Sequence, residues 1–137
     1  MTTFPLKIVT PDGLQFEGAA EELIVRTIAG DIGVMAGHTD CVAPLGMGMA
    51  TVVIDGEKKY AACIGGMLSV LKGDVTLIPT TFEWADEINA ERAQDSERRA
   101  KEIIENKSAS DTELKLAEAR LKRSLIRQSV AQYRNVR

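Results

Sequence analysis

From Phe4 to Phe82 apolar and polar residues alternate in short runs, and beyond Trp84 the alternation stops. A period of two sends successive side chains to opposite faces of a strand. Phe4 to Thr10 alternates in this way, and Pro11-Asp12-Gly13 turns it into Leu14 to Gly18. In Glu22 to Thr27, Leu23 and Val25 share one face while Ile24 and Arg26 share the other. Ala29-Gly30-Asp31 turns into Ile32-Gly33-Val34-Met35, and Gly37-His38-Thr39-Asp40 makes another bend. Cys41 to Leu45 and Gly48 to Ile54 flank Gly46, and Asp55-Gly56 is a two-residue hairpin signal leading to Glu57 to Ile64. After Gly65-Gly66 come Met67 to Leu71, the turn Lys72-Gly73-Asp74, and Val75 to Phe82, whose Pro79 points to a sheet edge. Roughly nine or ten short strands with turns between them predict a sandwich or flattened barrel, not a parallel α/β sheet.

Trp84 to Arg137 contains neither Gly nor Pro. Two runs rich in Ala, Glu, Arg, Lys, Leu and Gln are split by Asn106-Lys107-Ser108-Ala109-Ser110-Asp111, which predicts two antiparallel helices. Ser110 followed by Glu113 forms a capping box and starts the second helix at about Asp111. The fold class is therefore an all-β sandwich of about ten strands followed by a C-terminal antiparallel α-helical hairpin, divided into residues 1–83 and 84–137. The apolar positions of the first helix are Ala85, Ile88, Ala93, Ala100 and Ile103/Ile104; those of the second are Leu114, Ala117, Leu121, Leu125, then Gln128 and Ala131. Small residues let helices approach closely but bury little area, so the hairpin is expected to fold conditionally.

Charge sharpens this division. The chain carries a net −3. Residues 1–83 hold five basic and ten acidic groups, a net of −5, whereas residues 84–137 hold twelve and ten, a net of +2. Within the hairpin, Glu83 to Glu97 has six acids and one Arg, and Arg120 to Arg137 has six bases and no acid. The balance argues against a nucleic-acid partner, and no apolar run reaches the ~18 residues that would insert into a membrane. The N-terminus lacks a secretion signal, so Cys41 and Cys63 read as buried thiols in a reducing compartment.

His38 is the single histidine, and neither finger-type metal spacing nor a nucleophile pair with an orienting group is present, so no metal or catalytic residue is assigned. The arginines carry more. Arg92 and Arg99 are seven apart on one face of the first helix, and Arg123 and Arg127 four apart on the second. Folding about Ser108 puts Arg92 opposite position 125, between Arg123 and Arg127. Such a cluster needs anions near it: either Glu91, Asp95 and Glu118 serve as ordinary exposed pairs, or a phosphate ligand enters. The basic tail either lies along Asp86 and Glu87 or, with the hairpin open, meets an acidic surface elsewhere.

Leu6-Lys7-Ile8-Val9-Thr10-Pro11-Asp12-Gly13, Phe16-Glu17-Gly18, Gly30-Asp31-Ile32-Gly33-Val34-Met35-Ala36-Gly37-His38 and Ile64-Gly65-Gly66-Met67-Leu68-Ser69-Val70 together resemble the epsilon subunit of bacterial F-type ATP synthases, nearly end to end. Ala36 stands where that family usually has Pro, and Thr39-Asp40-Cys41 where it has Ala-Pro-Leu. The resemblance implies a ten-stranded sandwich with a helical hairpin. It also implies a non-catalytic rotor subunit of a proton-translocating complex, peripheral on the cytoplasmic face of the bacterial plasma membrane. The sandwich would bind the gamma subunit and the c-ring, with Asp31 and His38 as c-ring contacts. The helices would reach the alpha/beta hexamer and restrain ATP hydrolysis. Some members bind ATP through I-D-x-x-R-A, which here reads Ile88-Asn89-Ala90-Glu91-Arg92-Ala93. The same resemblance adds Glu83, Arg99, Arg123 and Arg127 to Asn89, Arg92 and Ala93 as ATP-binding candidates. No cofactor is required, and ATP would act as a regulatory ligand. This reading predicts a monomer when isolated. The alternative, a free-standing β-sandwich ligand-binding module with a helical dimerisation hairpin, predicts a homodimer.

Overall fold

A computed structural model describes residues 2–134 and separates them after Trp84 into two compact units. The first unit holds ten strands: β1 (Phe4–Thr10), β2 (Gly13–Ala20), β3 (Glu22–Thr27), β4 (Gly30–Val34), β5 (Cys41–Pro44), β6 (Met47–Ile54), β7 (Glu57–Ile64), β8 (Met67–Leu71), β9 (Asp74–Ile78) and β10 (Thr81–Trp84). They form two five-stranded sheets, β2-β1-β9-β8-β5 and β10-β7-β6-β3-β4. One face of each supplies the core, which includes Leu6, Ile8, Leu23, Val25, Val52, Leu68 and Leu77. The alternation in β1 and β3 thus serves its usual end, one buried face per strand.

Two turns are built alike. Thr10 leads to Gly13 and Thr27 to Gly30; each Thr hydroxyl accepts the amide two residues on, and each closing Gly has φ +121. A side chain would be strained at that φ, so glycine is required.

One strand expectation is corrected. Val75 to Phe82 is not a single edge strand: β9 ends at Ile78 inside the first sheet, and β10 begins at Thr81 on the edge of the second. Pro79 sits at the change of sheet, where its missing N–H costs no ladder bond. Gly65-Gly66 accompanies this crossing: the Thr80 amide donates to the Gly65 carbonyl, and the Leu45 amide to that of Gly66.

The outward face of the first sheet carries a row of apolar residues at one level. Val9 faces Leu14, Met67 faces Ile78, and Pro44 faces Met67. The β1–β9 ladder ends with Ile8 beside Leu77, so Val9 and Ile78 are each the next residue on neighbouring strands, and the apolar positions recur on all five strands of the sheet. Leu14, Ile78 and Met67 are 56%, 47% and 40% exposed. Ile28, in the turn after β3, is 74% exposed, and its amide donates to the Pro44 carbonyl.

The second unit begins with a 3-10 turn, Ala85–Glu87, followed by α1 (Ala90–Glu105) and α2 (Asp111–Ala131). Asp86 and Glu87 therefore lie in that turn and not in the first turn of α1, whose N-cap is Asn89. The expected capping box is present, with Ser110 accepting from the Glu113 amide and Glu113 from that of Ser110. Ala93, Ala100, Ala117, Ser124, Val130 and Ala131 are buried along the hairpin. Leu125 is not part of that seam, being 47% exposed; the buried positions on either side of it are Ser124 and Val130. No helix among the described residues is long and apolar enough to cross a membrane.

Candidate functional site: the arginine flank of the hairpin

Asn89 starts the site. Its Oδ1 accepts the Arg92 amide at 3.0 Å and its backbone carbonyl accepts that of Ala93 at 3.1 Å. Capping satisfies donors that the first helical turn leaves over, and a short amide side chain suits the position. The carboxamide oxygen is thus committed to the helix, leaving its NH₂ for any ligand.

Two bonds within this unit set the helix register. Gln128 Nε2 donates to Glu97 Oε1 at 2.7 Å, and an Arg134 Nη2 donates to the Ile88 carbonyl. Counting antiparallel from either puts Arg92 level with residues 130–133, not with Leu125. The same count sets Arg123 level with residues 99–102 and Arg127 with residues 95–98. Folding about the loop midpoint misplaces α2 because the pair is staggered. Asn106-Lys107-Ser108-Ala109-Ser110 is not a symmetric bend: Asn106 Oδ1 accepts the Ser108 amide, and Ser110 already caps α2.

The arginines still fall on one flank. Arg92 precedes buried Ala93, Arg99 precedes buried Ala100, Arg123 precedes buried Ser124, and Arg127 precedes Gln128, which bonds across the seam. In an antiparallel pair, positions just before the seam on each helix line the same side. Arg99 and Arg123 share a level, Arg127 comes next, and Arg92 lies farthest out, about 10 Å along the axis from Arg99. The result is a ladder of guanidiniums, not a single convergent patch.

Of the expected screening acids, Asp95 pairs with Arg99 at 3.1 Å and also with Arg98. Both are exposed pairs on one helix, worth little to stability. A ladder of forked cations suits an elongated, multiply charged anion better than a single carboxylate. Glu83 lies on β10, in the sandwich unit, and is half-buried. Glu97, absent from the sequence candidates, is the carboxylate that bonds across the helices; the signal for it was Gln128 interrupting an apolar seam.

The other two candidates lie on the sandwich. Asp31 is on β4 itself, directly opposite Arg26, with Nε to Oδ1 at 2.6 Å. His38 lies in the loop after β4 and its Nδ1 stands 2.8 Å from the Thr39 carbonyl, which fixes the proton on that nitrogen. Asp31 adjoins the 27–30 turn; His38 follows Val34, at the other end of β4. The length of β4 therefore separates the two. The apolar row escaped the sequence reading because it needs inter-strand register.

Both units match known families. Residues 3–85 match the beta-sandwich domain of the ATP synthase delta/epsilon chain, and residues 86–132 its long alpha-helix domain. The ATP synthase epsilon chain of Bacillus velezensis is 38% identical over 131 residues, covering 96% of this chain and 98% of that one. The epsilon chains of Shouchella clausii and Caldanaerobacter subterraneus subsp. tengcongensis are 35% and 38% identical, covering 98% and 94% of this chain and 98% and 94% of their own. Among solved structures, a chain of the Euglena gracilis mitochondrial ATP synthase shares the fold, with a TM-score of 0.82 at 21% identity over 94% of this chain and 81% of that one.

Proposed function

As the chain belongs to the ATP synthase delta/epsilon chain family across both its domains, we propose that it is a non-catalytic central-stalk subunit of a proton-translocating F-type ATP synthase. Its sandwich joins the gamma subunit to the c-ring at the cytoplasmic face of the bacterial plasma membrane. Its helical hairpin restrains ATP hydrolysis by reaching the alpha/beta hexamer. The observation that carries this reading is the division of labour between the units. The sandwich has a large, well-filled core and an exposed apolar row spanning five strands, as a docking body requires. The hairpin closes mostly on alanine and serine, with Val130 beside them, so its helices separate at low cost.

Asp31 and His38 are the proposed c-ring contacts; a partner touching both lies along β4 instead of capping one end. The arginine flank, with Asn89 and Ala93, is the proposed site for ATP as a regulatory ligand, which stabilises whichever hairpin arrangement it binds. Relatedness over both domains favours this reading over a free-standing ligand-binding module.

Truncation after Trp84 tests the division. The shortened chain should still assemble with gamma and the c-ring while ATPase activity of the complex rises. Loss of gamma binding on truncation would overturn it.

A further inference from the structure

We propose that the Glu97–Gln128 pair is the latch of the hairpin: it selects the register of the two helices and so spaces the four arginines. The inference rests on the reading of the hairpin as a regulatory arm.

Glu97 lies between buried Ala93 and Ala100 on the seam side of α1, its side chain only 22% exposed. Gln128 lies between buried Ser124 and Ala131 on α2. The carboxylate takes a bond from Gln128 at 2.7 Å and an ion pair from Lys101, on its own helix, at 2.7 Å. Alanine and serine surfaces are smooth, without the knobs that lock a leucine seam, and tolerate sliding. A carboxylate within the seam slides less freely, since sliding removes the donor opposite and leaves it Lys101 on its own helix. Moving α2 by one turn sets Ser124 against Glu97, and that hydroxyl already donates to the Leu121 carbonyl at 2.7 Å. Any slip also pulls Arg134 off the Ile88 carbonyl. A polar pair in a weak seam is a known way of specifying register while keeping the assembly separable.

The test uses the full chain and hydrogen exchange of the α1 and α2 amides, with the sandwich amides as internal reference. Glu97→Ala and Gln128→Ala should each speed hairpin exchange about tenfold. Alanine is the better helix former, so that loss would not come from helix propensity. The double variant should be no worse than either single, and the exchanged pair, Glu97→Gln with Gln128→Glu, should recover most of the protection. Unchanged exchange in the singles, or effects that add in the double, would overturn the latch. Calorimetric titration of the same proteins with ATP keeps the readings apart. Heat from the wild type but several-fold weaker binding by the singles supports arginine spacing by the latch. Absence of heat from the wild type removes the nucleotide site and leaves the exchange result to decide the latch.

Discussion

Gly66 has the least room of any glycine in the chain. A Cβ added there would stand 2.0 Å from the Ile78 carbonyl oxygen and 2.7 Å from Pro79 Cα, with φ at +99. Neither neighbour is a flexible side chain able to move aside. Gly66→Ala should cost about 3 kcal/mol or more in denaturant unfolding of the sandwich; an unchanged midpoint would contradict the crossing described here. Glu97 offers a pH test. The Lys101 hydrogen bond first, and the Gln128 bond second, hold its carboxyl below the usual 4.5. A folded pKa below the unfolded one contributes stability that is present above the unfolded value and lost as pH falls through the folded one. Hairpin helicity by circular dichroism should therefore be level near neutrality and lose the Glu97 contribution below about 4.5, while Glu97→Gln lacks that component. Cys63, by contrast, is pushed up to about 12 by burial and stays a protonated, unreactive core thiol.

At the scale of elements, what was legible from sequence follows from what alternation and capping encode. Asp55-Gly56 and Ser110 with Glu113 act locally, and both stand where local chemistry puts them. The run through Pro79 was misread because periodicity tells which face a residue takes, not which sheet a strand joins. The hairpin stagger was hidden for a related reason: a seam mostly of alanine has few large and small residues to match, and the polar pair that does mark the register, Glu97 with Gln128, is recognisable only once the two helices are set side by side. Arg92 in particular lies away from Leu125 yet on the same flank as Arg123 and Arg127. The guanidinium ladder gives its own prediction. If ATP lies along it, Arg92→Ala should weaken calorimetric binding by about tenfold while Asn89, still the cap, keeps α1 intact. Equal heats from wild type and variant would remove Arg92 from the site.

For the whole molecule, the two units differ in what holds them. The sandwich buries large branched side chains on both inner faces, whereas the hairpin buries mostly alanine. The exposed apolar row belongs to the stable body, so a substitution there should disturb docking without unfolding it. Met67→Glu, within the row, should leave the isolated chain's thermal midpoint nearly unchanged and abolish co-purification with gamma. Retained co-purification would place gamma on another face.

The sheet change at Pro79 also has a mechanical side. The covalent path from body to helices leaves through β10, which lies at a sheet margin and faces β7 through four residues, Thr81 to Trp84. Strain in that direction would peel this ribbon outward, one rung after another, long before it reached the interior strands. Behind it, the proline and the tightly wedged Gly66 form a natural stop, so a tail under load could pay out a few residues of tether while the anchored end stays whole.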